Sequence, residues 1–521
     1  MQKKESSTKK SALSNIDSEV LKLVPETVAR RYYVIPIRKN GDTLTLAVRD
    51  LDDVVAIDTV RTISGCEIET VVAPEEDIMR AVERNYSGSV DMEAVLLDLV
   101  KVNGNLGQME ATEDPTQVKL KANDPPVVKF VNLLLLDAVE RRASDIHVEP
   151  GKGKSSIRIR IDGVLHNMTP PPKAMHSAII SRVKILSGLD IAERRLPQDG
   201  RCTVKIAHRE IDIRISTFPT LYGEKLVMRL LDKQRISLGL RNLGLARDQL
   251  AKLEKILEKP YGMTLETGPT GSGKTTTLYA GLKHVNRPGQ NIVTIEDPIE
   301  YDLEGINQTQ VRPRIGLDFA SGLRAILRQD PDVILVGEIR DKETAQIAIR
   351  AALTGHLVFS TLHTNDAVGA IAQLQYFNIE PYLIGSALDL VIAQRLVRRV
   401  CPNCQEYYTL KNETLHRLGL DKNGKKELKL VRGKGCGQCN YTGYYGRTAI
   451  FQFFEITPAI RRLIFERAGL DIVRAEAIRQ GMKTLRESAL NKLLEGTTTI
   501  EEVLSVTIDE ALGWQSFSVS Q

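Results

Sequence analysis

The stretch Gly268-Pro-Thr-Gly-Ser-Gly-Lys-Thr275 constrains this chain more than any other. It fits G-x-x-x-x-G-K-[ST], with an apolar run, Met263-Thr-Leu265, before it and a helical run, Thr276-Thr-Leu-Tyr-Ala280, after it. A strand that turns through glycines into a helix points backbone N–H groups at phosphates, and the helix adds its positive end. The expected nucleotide-binding residues are therefore Gly268, Pro269, Thr270, Gly271, Ser272, Gly273, Lys274 and Thr275. Lys274 reaches the outer phosphates of ATP, and Thr275 holds Mg²⁺. The competing reading is a glycine-rich turn that fits by chance.

Two acidic strand ends follow at distances a parallel sheet allows. In Ile292-Val-Thr-Ile-Glu-Asp-Pro-Ile-Glu300, Pro298 ends a buried strand, and Glu296, Asp297 and Glu300 are expected to emerge on the ligand side. In Val333-Ile-Leu-Val-Gly-Glu338, Gly337 stands where P-loop ATPases commonly place an aspartate, so Glu338 has to serve the metal and water. The plainer alternative is a set of solvated strand-end carboxylates. A further buried strand, Gly355 to Thr364, is bracketed by His356 and His363. His363 is read as sensing the γ-phosphate or orienting water. His356 stays open between that role and a hydrogen-bonded structural one.

The 521 residues exceed one core and divide into several compact units. A net charge of +5, from 71 basic against 66 acidic residues, carries no basic excess of the kind that binds nucleic acid unaided. The polar start, Met1 to Lys10, lacks the apolar core of an export signal. Phe130-Val-Asn-Leu-Leu-Leu-Leu136 is far short of the ~20 residues that span a bilayer. A cytoplasmic location is expected, with membrane contact only through partners.

The division expected along the chain is a disordered tail (1–12), a small α/β domain (13–102), and a Gly, Pro and acid-rich linker (103–125). A second small α/β domain (126–240) precedes the nucleotide domain (241–395). A cysteine-bearing segment (396–446) and a C-terminal helical bundle (447–521) complete it, Leu463, Ile464, Ile472 and Leu493 being read as bundle core.

Cys401-Pro-Asn-Cys404 and Cys436-Gly-Gln-Cys439 place two thiolate pairs on two tight knuckles, which together suit a closed, structural Zn²⁺ site. Thirty-one residues separate Cys404 from Cys436, more than the usual ribbon spacing, and Lys425-Lys426 within them reads as an exposed insertion. Redox dithiols and buried free cysteines are the alternatives. Cys66 and Cys202 are read as small core residues.

Together, Gly268–Thr275, Glu296-Asp-Pro-Ile-Glu300, Val333–Glu338 with Ile339-Arg-Asp341, and Ser360-Thr-Leu-His-Thr364 resemble the nucleotide motifs of the secretion ATPase family. Upstream, Ala143-Ser-Asp-Ile-His-Val-Glu-Pro150, Arg160-Ile-Asp-Gly163 and Arg195-Leu-Pro-Gln-Asp-Gly-Arg201 resemble its second N-terminal domain. The resemblance implies an α/β fold: a RecA-like P-loop motor domain preceded by two smaller α/β domains, with a zinc-binding insertion and a C-terminal helical bundle. It also implies an ATPase that assembles pilin-like subunits for type II secretion or type IV pili. Glu300 is then the water-activating base, Glu338 the Mg²⁺-side acid, and Arg214 and Arg229 the phosphate-facing arginines, whose alternative is a salt bridge on a sheet edge. A homo-hexamer, an inner-membrane platform protein and a membrane-anchored adaptor protein are the implied partners. The first domain resembles the family's adaptor module, but Ser11–Arg31 lacks the Arg-Leu-Gly motif with which some relatives bind cyclic di-GMP, so that ligand is not expected.

The tetracysteine motif resembles that of assembly and secretion members rather than retraction ones. The single short adaptor domain leans the reading toward secretion. Two other classes compete: a hexameric nucleic-acid translocase, against which the near-neutral charge counts, and a zinc-stapled scaffold that binds nucleotide without turnover, against which Lys274, Glu300 and Glu338 count.

Overall fold

The computed structural model describes residues 16–21, 23–25, 28–29, 32–50, 53–86, 125–206, 209–232, 239–411 and 427–507. The expected tail, nearly all of the expected linker, and Lys425-Lys426 lie outside the described residues. Two compact units divide near Leu230.

The first unit carries a three-stranded sheet of β1 (Val34–Asn40), β2 (Thr43–Val48) and β3 (Glu67–Val72). β1 and β2 form a hairpin over Gly41-Asp42, with Gly41 at φ 59° as a two-residue turn requires. β3 lies parallel to β2, which demands a crossover, and the helix Val54–Ser64 supplies it. Asp53 caps that helix by accepting from the Ala56 N–H at 3.1 Å. Cys66 is buried in this module's core with Val34, Leu44 and Leu46, as expected.

Six antiparallel-type strands follow: β4 (Ala143–Glu149), β5 (Ser156–Ile161), β6 (Val164–Met168), β7 (Gln198–Ile206), β8 (Arg209–Thr220) and β9 (Gly223–Asp232), in the order β6-β5-β4-β9-β8-β7. Alternation sets their faces. Ile157, Ile159 and Ile161 of β5 are buried while Ser156, Arg158 and Arg160 face away from the core. The helix Pro125–Glu140 packs on β4, β7 and the helix His176–Leu186. Pro125, the last residue of the expected linker, and Pro126 sit in the first turn of this helix, where proline's missing N–H costs no bond. Cys202, on β7, is only half-buried and not a core residue.

The second unit is built on β10 (Gly262–Thr267), β11 (Ile292–Glu296), β12 (Asn307–Gln310), β13 (Val333–Val336), β14 (Leu357–Leu362) and β15 (Leu388–Val400), with β16 (Gln405–Lys411) and β17 (Glu427–Gly433) as a separate hairpin and β18 (Tyr444–Glu455) at the sheet edge. The sheet order is β12-β11-β13-β14-β10-β15-β18, parallel throughout except for the β15–β18 pair. Parallel strands are covered on both faces, hence the near-continuous burial of Val333-Ile-Leu-Val336 and Leu357 to Leu362. One face packs Leu265, Ile295, Val336 and Val358, and the other packs Leu335, Phe359, Ile392 and Tyr279.

The C-terminal segment is helical, as expected, and its helices bury their apolar faces against the sheets. Pro458–Phe465 and Leu470–Arg479 bury Ile460, Ile464 and Val473 in the core of the main sheet. Leu485–Leu494 and Ile500–Val506 bury Ala489, Leu493 and Val503 against Val397, Leu430 and Ile450. Each short helix has one apolar face and the sheet offers the larger apolar partner, while Ile472 stays exposed.

Candidate active site

The phosphate loop leaves the C-terminal end of β10 and enters the helix Lys274–Val285. Gly268, Gly271 and Gly273 take φ of 152°, 79° and 93°, left-handed values open to glycine. A Cβ on Gly268 would meet the Gln394 carbonyl at 2.6 Å, and one on Gly273 the Gln394 amide at 2.7 Å. A Cβ on Gly271 would meet nothing within 4 Å, so that glycine faces open space. No side chain caps the helix, which leaves its first N–H groups for a ligand. The buried Ser272 hydroxyl also lacks a protein partner. Both observations fit a phosphate-bearing ligand.

Lys274 Nζ donates to the carbonyls of Gly268 (2.7 Å) and Pro269 (3.2 Å). Burial pulls its pKa below the ordinary lysine range, opposed by the charges of Glu266 and Glu338 and aided by Arg395. Thr275 is the second residue of the helix.

Glu338 lies just beyond β13. Its Oε2 is 3.2 Å from His363 Nε2, and Arg340 donates to its Oε1. Arg340 also approaches Asp297 at 3.7 Å. Burial pushes the Glu338 carboxyl up, but the Arg340 and His363 donors outweigh it and hold it below the usual range. A side chain at 337 would press on the backbone of β11, 3.2 Å from Glu296 Cα, so the glycine lets the two strand ends approach closely. The loop after β14 is pinned by Thr364, whose N–H donates to Thr267 Oγ1 at 2.8 Å.

The other expected residues fall differently. His356 stands at the opposite end of β14, its Nδ1 2.9 Å from the Ala351 carbonyl at a helix C-terminus, a structural position. Glu296 does not emerge on the ligand side: it is buried, bonded to Tyr279, Thr294 and Gln308. Glu300, beyond Pro298, donates its backbone N–H to Tyr279 Oη at 3.4 Å. Arg214 and Arg229 stand on β8 and β9 of the first unit, where Arg229 Nε donates to Asp145 at 3.0 Å. Sequence reasoning missed Glu266, a fully buried carboxyl on β10, although an acid in an apolar run was visible. Burial raises its pKa well above the ordinary range, with Lys274 opposing. Arg395, which donates to the carbonyls of Gln394 and Asn365 beside the loop, carried no sequence signal.

The four cysteines come together where β15 ends and β18 begins. Sulfur separations are 3.9 Å for Cys401–Cys436, 3.9 Å for Cys404–Cys439 and 3.8 Å for Cys436–Cys439, and all four lie within 4.8 Å of one another. A tetrahedral ion with metal–sulfur bonds of about 2.3 Å places its sulfurs about 3.8 Å apart. Backbone N–H groups of Gly435, Cys436 and Gly443 donate to the sulfurs at 3.2–3.3 Å, an arrangement that favours thiolates. The cluster can hold one metal ion.

A phosphate cradle at the C-terminal ends of parallel strands, with a carboxylate, a histidine and an arginine beside it, defines a P-loop nucleoside triphosphatase. Residues 120–505 match the model of the type II/IV secretion system protein family, and the chain belongs to that family. Residues 11–92 match the MshEN domain. The chain is 45% identical over 500 residues to the type IV pilus assembly ATPase PilB of Myxococcus xanthus, covering 95% of this chain and 87% of that protein. It is 43% identical over 481 residues to the type II secretion system protein E of Xanthomonas campestris pv. campestris, covering 92% and 84%. Among solved structures it is similar to the pilus retraction motor PilT with bound ADP, at TM-score 0.51 and 26% identity, covering 73% of this chain and 97% of that one. The comparisons give no support to a nucleic-acid translocase. Among the described residues, no helix is long and apolar enough to cross a membrane.

Proposed function

We propose that this chain is the ATP-hydrolysing motor that drives assembly of pilin-like subunits in type IV pilus biogenesis or type II secretion. The observation that carries the reading is the Glu338–His363–Arg340 set beside an intact phosphate loop, in a chain that aligns along nearly its whole length with a type IV pilus assembly ATPase and with a type II secretion system protein E. Gly268–Thr275 cradles the triphosphate, and Lys274 turns from the loop carbonyls to the outer phosphates. Thr275 and Glu338 are the residues that would hold Mg²⁺, which would supply charge neutralisation at the phosphates. Glu300 takes the proton of the attacking water, and His363 orients that water through its contact with Glu338. Arg214 and Arg229 supply further positive charge to the phosphates. Cys401, Cys404, Cys436 and Cys439 are the residues that would hold Zn²⁺, which would supply a structural link between the β16–β17 hairpin and the sheet. The working form is a homo-hexamer in the cytoplasm, peripheral at the inner membrane, docked on a platform protein and a membrane-anchored adaptor.

The test in cells is replacement of the gene by one carrying Glu338→Gln, with surface pili and exported proteins measured against wild type. Loss of pili assigns pilus assembly. Loss of specific exoproteins with their retention in the periplasm assigns secretion. Both unchanged contradicts the reading.

A further inference from the structure

The helix that starts at the phosphate loop also carries a buried tyrosine, Tyr279. Tyr279 is fully buried, with its ring edge-on to Tyr301 at 4.7 Å between centroids. Its hydroxyl donates to the Glu296 carboxylate at the end of β11. The same oxygen accepts the Glu300 N–H at 3.4 Å and Gln308 Nε2 at 3.3 Å. The other Glu296 oxygen accepts from Thr294 Oγ1 at 2.7 Å and Gln308 Nε2 at 3.1 Å. Gln308 closes the set, its carbonyl accepting the Leu303 N–H at 2.8 Å. Burial, then the neighbouring Glu296 charge, keep the Tyr279 phenol protonated and a donor. Buried polar networks satisfied in this way fix one geometry, because any rearrangement strands a polar group away from water.

We propose that Tyr279 is a positioning residue for Glu300, tying the backbone of the 297–300 loop to the helix that carries Lys274 and Thr275. This inference rests on the reading of Glu300 as the base in ATP hydrolysis. The phosphate loop and the base arrive from different strands, β10 and β11, and the Tyr279 phenol bridges helix and loop directly. A base displaced by about 1 Å loses on the order of 100-fold in rate while the nucleotide still binds. Phenylalanine at 279 keeps the ring volume and the Tyr301 contact, but leaves Glu296 short of a donor and the Glu300 N–H without the phenol oxygen.

The test uses the full-length protein in its assembled form. Steady-state ATP hydrolysis, binding of a fluorescent ATP analogue and thermal melting are measured for wild type, Tyr279→Phe, Glu300→Gln and the double variant. Tyr279→Phe is expected to lower kcat about 10- to 100-fold while the analogue's Kd stays within about 3-fold. The double variant is expected to be no slower than Glu300→Gln alone, since both act through one base. Wild-type turnover in Tyr279→Phe overturns the inference, as does a parallel loss of turnover, affinity and melting temperature. Should Tyr279→Phe not fold, Glu296→Gln, which keeps an acceptor for the phenol, is expected to stay within about 3-fold of wild type, and Glu296→Leu, which withdraws it, to lose turnover with Kd retained. Equal losses in those two variants overturn it too. Wild-type turnover in Glu300→Gln instead removes the base assignment, whatever Tyr279 does.

Discussion

Glu338 and His363 meet across the ends of neighbouring parallel strands, Oε2 to Nε2 at 3.2 Å. β13 and β14 run in register, Val336 beside Ser360, so the residues just past each strand end come face to face. A carboxylate that accepts from an imidazole and a guanidinium stays charged and keeps one orientation, as a residue serving a metal and a water must. His363→Ala is expected to lower ATP turnover about 10- to 100-fold, with Kd for ATP changed much less. Steady-state kinetics with equilibrium binding check it.

Arg340 is expected to set the acid limit of activity. Burial alone raises the Glu338 pKa, and the Arg340 donor is the first influence that lowers it. A depressed carboxylate pKa keeps the group ionised as pH falls. In Arg340→Ala the carboxyl is protonated at higher pH than in wild type, so the acid limb of the kcat/KM profile for Mg-ATP moves upward. A profile that does not move contradicts this role.

Lys274→Ala removes the cation of the phosphate loop. Loss of about 100-fold or more in kcat/KM for ATP is expected, with the fold retained, since the side chain bonds only loop carbonyls. Circular dichroism and ATPase rates together check both halves.

The strands of the second unit and the phosphate loop were legible in the sequence because each carries a local signal: an apolar run, then glycines or an acid. Glu338 and His363 were legible for the same reason. Glu296 was not, because a strand-end acid looks alike whether it meets solvent or a buried tyrosine, and Tyr279 reaches it only through helix-on-sheet packing. The C-terminal helices were found as helices, but local amphipathicity names an apolar face without naming what covers it. Arg395 reads as an ordinary cation in β15, and only the return of that strand beside β10 brings it to the loop. The cysteine knuckles were legible as pairs, while their convergence depends on β15 and β18 pairing with Val400 opposite Tyr444.

Metal analysis of the purified chain is expected to give about one zinc per chain. Replacing Cys401 and Cys436 by serine removes it and lowers the melting temperature by several degrees, with nucleotide binding at the loop retained. Elemental analysis and melting curves before and after a chelator check this.

The Glu149–Arg158 pair gives an acid-stability test. Hydrogen bonds from Arg158 outweigh burial and, with Lys225, hold the Glu149 pKa at about 2, below its usual 4.5. A depressed carboxylate contributes stability that is fully present above pH 4.5 and lost as pH falls toward 2. Arg158 is partly exposed, so screening limits the contribution to about 1 kcal/mol. Glu149→Gln is therefore expected to be about 1 kcal/mol less stable at pH 6 and to converge with wild type near pH 2, by denaturant titration across that range.

ATP hydrolysis by the purified, assembled full-length chain, with and without Mg²⁺ and beside Glu300→Gln, tests the central claim most directly. The account requires Mg²⁺-dependent turnover in wild type that Glu300→Gln abolishes while still binding ATP. Absence of hydrolysis in the assembled wild-type protein, or turnover undiminished by Glu300→Gln, contradicts it.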